Sequence, residues 1–183
     1  MSRLAATGLR VGYGPKTIID SLDVAIPDTQ VTTIIGPNGC GKSTLLRAMA
    51  NLLPTQAGEV TLDGTPIHAL RRRDLARSLG VLPQTPVAPD GLIVSDLVAR
   101  GRHPHQAWYR QWSSDDKDEV MTALRMTKVD DLADRTVDSL SGGQRQRVWI
   151  SLVLAQQTDI LFLDEPTTYL DLSHSIEVLE LVH

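Results

Sequence analysis

The stretch IIGPNGCGKSTLL, residues 34–46, sets three glycines, a lysine and two hydroxyl residues between an apolar run and a segment of helical character. Within it, residues 36–43 match G-x-x-x-x-G-K-[ST], the phosphate-loop pattern. The pattern carries that meaning only between a strand and a helix. The run 31–35 reads as the strand, and residues 44–50 read as the helix. Glycines let such a loop wrap with its N–H groups turned inward, so backbone and helix end together attract phosphate. Gly36, Pro37, Asn38, Gly39, Cys40, Gly41, Lys42, Ser43 and Thr44 are therefore the candidate nucleotide contacts. Lys42 reaches the β- and γ-phosphates in this reading, and the Ser43 hydroxyl joins the shell of a magnesium ion. Cys40 reads as a small residue tolerated in the loop, one that exposes the site to alkylation.

Composition bounds what surrounds the loop. The chain has 183 residues, 42% hydrophobic and 22% charged, enough for one domain with an inserted subdomain. A formal net charge of −4 argues against broad, sequence-independent nucleic-acid binding. The basic triplet Arg71, Arg72 and Arg73 reads as a solvated helix face or turn. Cys40 is the single cysteine, so no intrachain disulfide forms and a cytosolic setting fits best. The amino-terminal MSRLAATGLRVGYG lacks the apolar core of a signal peptide, and no segment approaches the length of a membrane span. Any service to a membrane is then expected to run through a partner.

Short β-rich runs fall at 17–26, 31–35, 59–62, 79–82 and 160–163, separated by turn residues such as Pro27-Asp28 and Asp63-Gly64. The segment from about residue 91 to 140 is mostly helix-like, with Val120, Ala123, Leu124, Val129 and Leu132 at or near helical spacing. It reads as a helical insert. PQTPVAPDG, residues 83–91, is an irregular connector into it and a candidate hinge.

Two further motifs complete the chemistry. DILFLDEP, residues 159–166, runs four apolar residues into two carboxylates. That pattern fits a strand of a parallel sheet, buried on both faces, which delivers acids at its carboxyl end. Asp164 would hold the magnesium through water, and Glu165 would orient and polarise the attacking water. LSGGQRQR, residues 140–147, opens a second helix-like run with a Ser-Gly-Gly turn, again an anion-binding arrangement. One nucleotide has no obvious need for two such helix starts.

With these motifs in this order, the chain resembles the nucleotide-binding subunits of ATP-binding cassette (ABC) transporters over nearly its whole length. The resemblance implies an α/β fold: a phosphate-loop NTPase core with a mostly parallel sheet, an antiparallel β subdomain and an inserted helical subdomain. It divides the chain into residues 1–86 (β subdomain and phosphate loop), 87–155 (helical subdomain with the signature) and 156–183 (the remaining core). It further implies ATP and Mg2+ as cofactors and a head-to-tail dimer of two copies. In that dimer Ser141, Gly142, Gly143 and Gln144 of one copy complete the ATP site built on Lys42 of the other. Tyr13, in VGYG, stands where the family stacks an aromatic on adenine; its bland alternative is a hairpin-turn tyrosine. Gln84, in VLPQ, matches the glutamine that reaches the magnesium and links the site to the helical insert. Asp171, in TYLD, matches the loop crossing the dimer interface, or else caps a helix.

GRHPHQAW, residues 101–108, and DEPTTYLDLSHSIEVLEL, residues 164–181, look like the branch that imports ferric siderophores, haem and cobalamin. That likeness implies an ATPase on the cytoplasmic face of a bacterial membrane, seated on permease subunits and served indirectly by a substrate-binding protein. His103 and His105 flank a proline with no cysteine or nearby acid, so they read as surface or packing residues and not as a metal pair. The family's switch histidine lies about twice as far beyond Glu165 as this chain extends, so the chain is read as truncated at its carboxyl end, with full hydrolysis and core packing in question. The alternatives are a non-transport cassette ATPase and a hydrolysis-deficient nucleotide-binding fragment. A phosphate-loop kinase or GTPase explains neither the signature nor Gln84.

Overall fold

A computed structural model describes residues 2–106 and 112–165. The chain falls into two compact units, residues 1–75 and the part from Ala76 onward.

In the first unit, β1 (Ser2–Tyr13) and β2 (Lys16–Pro27) form an antiparallel hairpin closed at Gly14 and Pro15. With β3 (Ala57–Leu62) and the short β4 (Thr65–Pro66) they make a sheet of order β2-β1-β3-β4. Asp63 and Gly64, both with positive φ, turn β3 into β4 as a two-residue hairpin requires. β1 buries Leu4 and Ala6, then Leu9 and Val11. The burial changes from even to odd positions because a register shift falls between Ala6 and Leu9, where Gly8 adopts φ 56°. An extra residue at such a bulge keeps the apolar side chains on one face. Helix α1 (Lys42–Met49) buries Leu45, Ala48 and Met49.

In the second unit, β5 (Leu79–Leu82) lies parallel to β6 (Ile160–Leu163), with Leu79 opposite Ile160 and Leu82 opposite Leu163. Helix α2 (Arg72–Ser78) precedes β5. The helical insert contains α3 (Val94–Ala99), α4 (Ser114–Met126) and α5 (Gly142–Ala155). Their apolar faces meet in one core that includes Leu97, Val98, Leu124, Val129, Val148 and Ile150. Ser113 caps α4 and Ser141 caps α5, each in a reciprocal capping box with the third helical residue, Asp116 or Gln144.

Two expectations are corrected. Residues 31–37 form no strand among the described elements, and Val31 and Ile35 are 58% and 89% exposed. β-propensity stabilises a strand only where a ladder and a buried face receive it, and no described strand pairs with this run. The expected burial of 160–163 on both faces is also only partly met, since Phe162 alone of the four is buried. β6 pairs with β5 alone among the described strands. The two strands not foreseen, β1 and β4, follow from the bulge that breaks alternation in one and from the two-residue length of the other.

Candidate functional site

The phosphate loop belongs to the first unit. Gly39 and Gly41 have φ of 79° and 105°, in the region that glycine alone enters freely, and Gly41 is the N-cap of α1. Gly36 allows another close approach, because a Cβ there would lie 2.7 Å from Cys40 Sγ. No side chain caps α1 and no acid occupies its first turn, so the helix itself supplies no anion to its positive end. The Lys42 ammonium donates to the carbonyls of Gly36 and Pro37 at 3.0 and 3.1 Å. Ser43 is half-buried and Thr44 buried at the start of the helix, while Pro37, Asn38 and Cys40 stand exposed on the loop. Tyr13 ends β1 opposite Lys16, beside the hairpin turn, and is 47% exposed.

The carboxylates and Gln84 belong to the second unit. β5 and β6 run parallel, so their carboxyl ends arrive together and Gln84 and Glu165, each two residues past its strand, become neighbours. Gln84 Nε2 donates to Glu165 Oε2 at 2.5 Å. The Asp164 amide donates to the Leu82 carbonyl at 3.0 Å, which fixes the backbone between the strand and the two acids. Asp164 is buried, and Glu165 holds φ 51°, an unusual conformation for a residue with a side chain. Strained backbone of this kind concentrates at working sites.

The signature opens α5. Ser141 and Gly142 are exposed at its amino end, and Gly143 and Gln144 are half-buried. The Ser141 hydroxyl accepts from the Gln144 amide at 3.3 Å, and Gln144 Oε1 accepts from the Ser141 amide at 3.0 Å. The serine thus spends one lone pair on its own helix and presents the rest outward.

Sequence reasoning missed how the connector and the signature are joined. The amides of Val94 and Ser95 donate to the carbonyls of Arg135 and Ala133, both at 2.9 Å, and Val137 donates to Leu92 at 2.9 Å. Asp138 accepts from the Gly91 amide at 3.0 Å. A short antiparallel clasp therefore ties the end of PQTPVAPDG to the turn before Ser141, and only its Asp and Gly residues hinted at it. His105 Nε2 lies 2.7 Å from the Gln156 carbonyl, an acceptor, so this nitrogen carries the proton and serves the end of α5. Asp171 lies outside the described residues.

Comparison with known proteins gives this geometry a family. The sequence profile described as "ABC transporter" matches residues 19–168. The chain is 52% identical over 182 residues to the achromobactin transport ATP-binding protein CbrD of Dickeya dadantii (strain 3937), covering 100% of this chain and 68% of that protein. It is 50% identical over 182 residues to the ferric enterobactin transport ATP-binding protein FepC of Escherichia coli (strain K12), covering 100% and 67%. Across such curated relatives it spans about two thirds of their length, 66% in one Bacillus subtilis protein. Among solved structures, a bacterial Atm1-family ABC exporter with ATP bound superposes with a TM-score of 0.85 at 26% identity, covering 98% of this chain and 32% of that one. A phosphate loop, paired carboxylates after a parallel strand and a capped Ser-Gly-Gly helix start, matched by that profile over most of the chain, place this protein in the ABC transporter family.

Proposed function

We propose that this chain is the ATP-binding and ATP-hydrolysing part of an importer for an iron–siderophore complex. The observation that carries the reading is the Gln84–Glu165 hydrogen bond at the carboxyl ends of two parallel strands. A carboxylate with no such donor would rotate; the Gln84 amide holds that of Glu165 in one orientation, as a group that aligns water must be held.

The residues present suit MgATP. Among the described residues Lys42 donates to two neutral carbonyls and pairs with no carboxylate, which suits a cation that serves phosphate. The α1 amino end adds backbone donors, Ser43 and Asp164 supply oxygen ligands of the kind magnesium takes, and Gln84 is a further one. When bound, the magnesium ion would neutralise developing phosphate charge. Lys42 would hold the terminal phosphates, Glu165 would align the water, and Tyr13 would offer its exposed ring to the adenine. Ser141, Gly142, Gly143 and Gln144, with Asp171, would serve the site of a second copy in a head-to-tail dimer. The helical part at 87–155 would then carry the signature, flanked by core parts at 1–86 and 156–183.

The relatives' names support the cargo class, since achromobactin and ferric enterobactin are what two of them are named for transporting. No helix among the described residues is long and apolar enough to cross a membrane. In this reading separate permease subunits form the passage, a substrate-binding protein delivers the cargo, and the chain works on the cytoplasmic membrane face. MgATP binding by calorimetry, with phosphate release assayed alongside, tests it. Binding that depends on Lys42 and turnover that depends on Glu165 support the proposal; absence of nucleotide binding overturns it.

A further inference from the structure

Residues 101–105, GRHPH, remain outside the site just described, yet they carry a buried arginine with three side-chain and backbone acceptors. Gly101 approaches α5 so closely that a Cβ there would lie 2.2 Å from the Leu152 carbonyl oxygen. This contact seats the next residue, Arg102, at the carboxyl end of α5, where it is 7% exposed. Its guanidinium donates to Asp116 Oδ1 at 3.0 Å, to the Ala155 carbonyl at 2.8 Å and to Gln157 Oε1 at 2.7 Å. Those acceptors sit on the first turn of α4, the last residue of α5 and the turn that leads into β6. Gln156, in the same turn, donates through Nε2 to the Ala76 carbonyl at 2.6 Å, while its own carbonyl accepts from His105. Arg77 closes the ring by donating to the Pro104 carbonyl at 2.8 Å.

We propose that Arg102 is a positioning residue that locks α5 to β6, so that the signature turn at one end of the helix and Asp164 and Glu165 at the end of the strand move as one body. Stability alone is a poor reason for this cluster. A buried ion pair incurs a desolvation cost that an apolar side chain of similar volume avoids. What a guanidinium adds is direction, because its planar fork holds several acceptors at fixed angles. Here it engages acceptors on three elements at the joint where α5 turns into β6. The signature serves one nucleotide and the carboxylates another in the proposed dimer, so a rigid link between them would pass the state of one site to the other. That consequence rests on the functional reading above; the mechanical lock does not.

The test compares Arg102→Lys and Gln157→Met with the parent in the intact protein. Lysine keeps the charge beside Asp116 but cannot span three acceptors; methionine removes one acceptor in the turn and leaves the buried pair intact. Amide hydrogen exchange across residues 156–163 is expected to rise about tenfold in both, with residues 42–49 unchanged. The kcat for MgATP is expected to fall about tenfold with KM within about twofold, as misplacement without lost binding predicts. Should Arg102→Lys unfold, Gln157→Met decides. Unchanged exchange at 156–163 in Gln157→Met overturns the lock, and raised exchange with an unchanged kcat overturns the positioning role. A parent that hydrolyses no ATP refutes the functional reading instead, and the exchange result then decides the lock by itself.

Discussion

Gln84 and Glu165, 81 positions apart in sequence, share a hydrogen bond of 2.5 Å between Nε2 and Oε2. Nothing local brings them together; the parallel register of β5 and β6 does, by ending Leu82 opposite Leu163. The contact predicts that Gln84→Glu is worse than Gln84→Ala. Two carboxylates at that distance cannot both ionise comfortably, so one is held protonated to higher pH. Phosphate release at neutral pH is therefore expected to fall further in Gln84→Glu than in Gln84→Ala. Equal rates for the two variants would show that the side chains do not meet during turnover.

Lys42→Ala is expected to weaken MgATP binding about tenfold to a hundredfold, the cost of one or two charge-assisted contacts to phosphate. Calorimetric titration reads this directly. A dissociation constant equal to the parent's would remove Lys42 from the phosphate site.

Asp116 supplies a pH prediction. Burial pushes its carboxyl up, but hydrogen bonds from Arg102 and Ser113 and the guanidinium charge outweigh it, so its pKa lies below the ordinary value. A depressed folded-state pKa contributes stability that is present above the unfolded value, near 4, and lost as pH falls through the folded one. Asp116→Asn is expected to cost about 3 kcal/mol at neutral pH, by leaving the Arg102 charge unpaired, and to lose stability less steeply than the parent below about pH 4. Urea midpoints measured from pH 7 to pH 3 check both statements.

Gly58 and Gly64 form a matched pair for the β1–β3 packing, both at φ 76°. A Cβ on Gly58 would stand 2.2 Å from the Gly8 carbonyl oxygen, whereas one on Gly64 meets nothing within 4 Å. Gly64→Ala should cost about 1 kcal/mol, the left-handed penalty alone, and Gly58→Ala about 3 kcal/mol because the bulge must also shift. Equal midpoints in denaturant would show that β1 and β3 do not approach as described.

Motifs whose chemistry is local were legible in the sequence. Gly36 to Thr44 and Leu140 to Arg147 each bring their own turn residues and helix start, and α1 begins within two residues of the expected position. Strands with a continuous apolar run, such as 79–82 and 160–163, were equally plain. β1 was not, because the bulge at Gly8 reverses its alternation and erases the period-two signal. The opposite error fell on 31–35, where the apolar run promised a strand and pairing, which composition does not encode, was decisive. Arg102 was invisible for a related reason: its acceptors lie 14, 53 and 55 residues away, so only the fold assembles them. Gly101, which lets its own turn approach α5 at the Leu152 carbonyl, was the one local hint.

The central proposal, that Lys42 serves nucleotide binding and Glu165 serves hydrolysis, is tested most directly by Glu165→Gln. MgATP affinity and phosphate release are measured together on parent and variant, at saturating nucleotide. The account predicts unchanged affinity, within about twofold, with release slowed at least about a hundredfold, the loss expected when the group that aligns water is removed. Release at the parent's rate would contradict it, and the catalytic role would have to be sought in a residue other than Glu165.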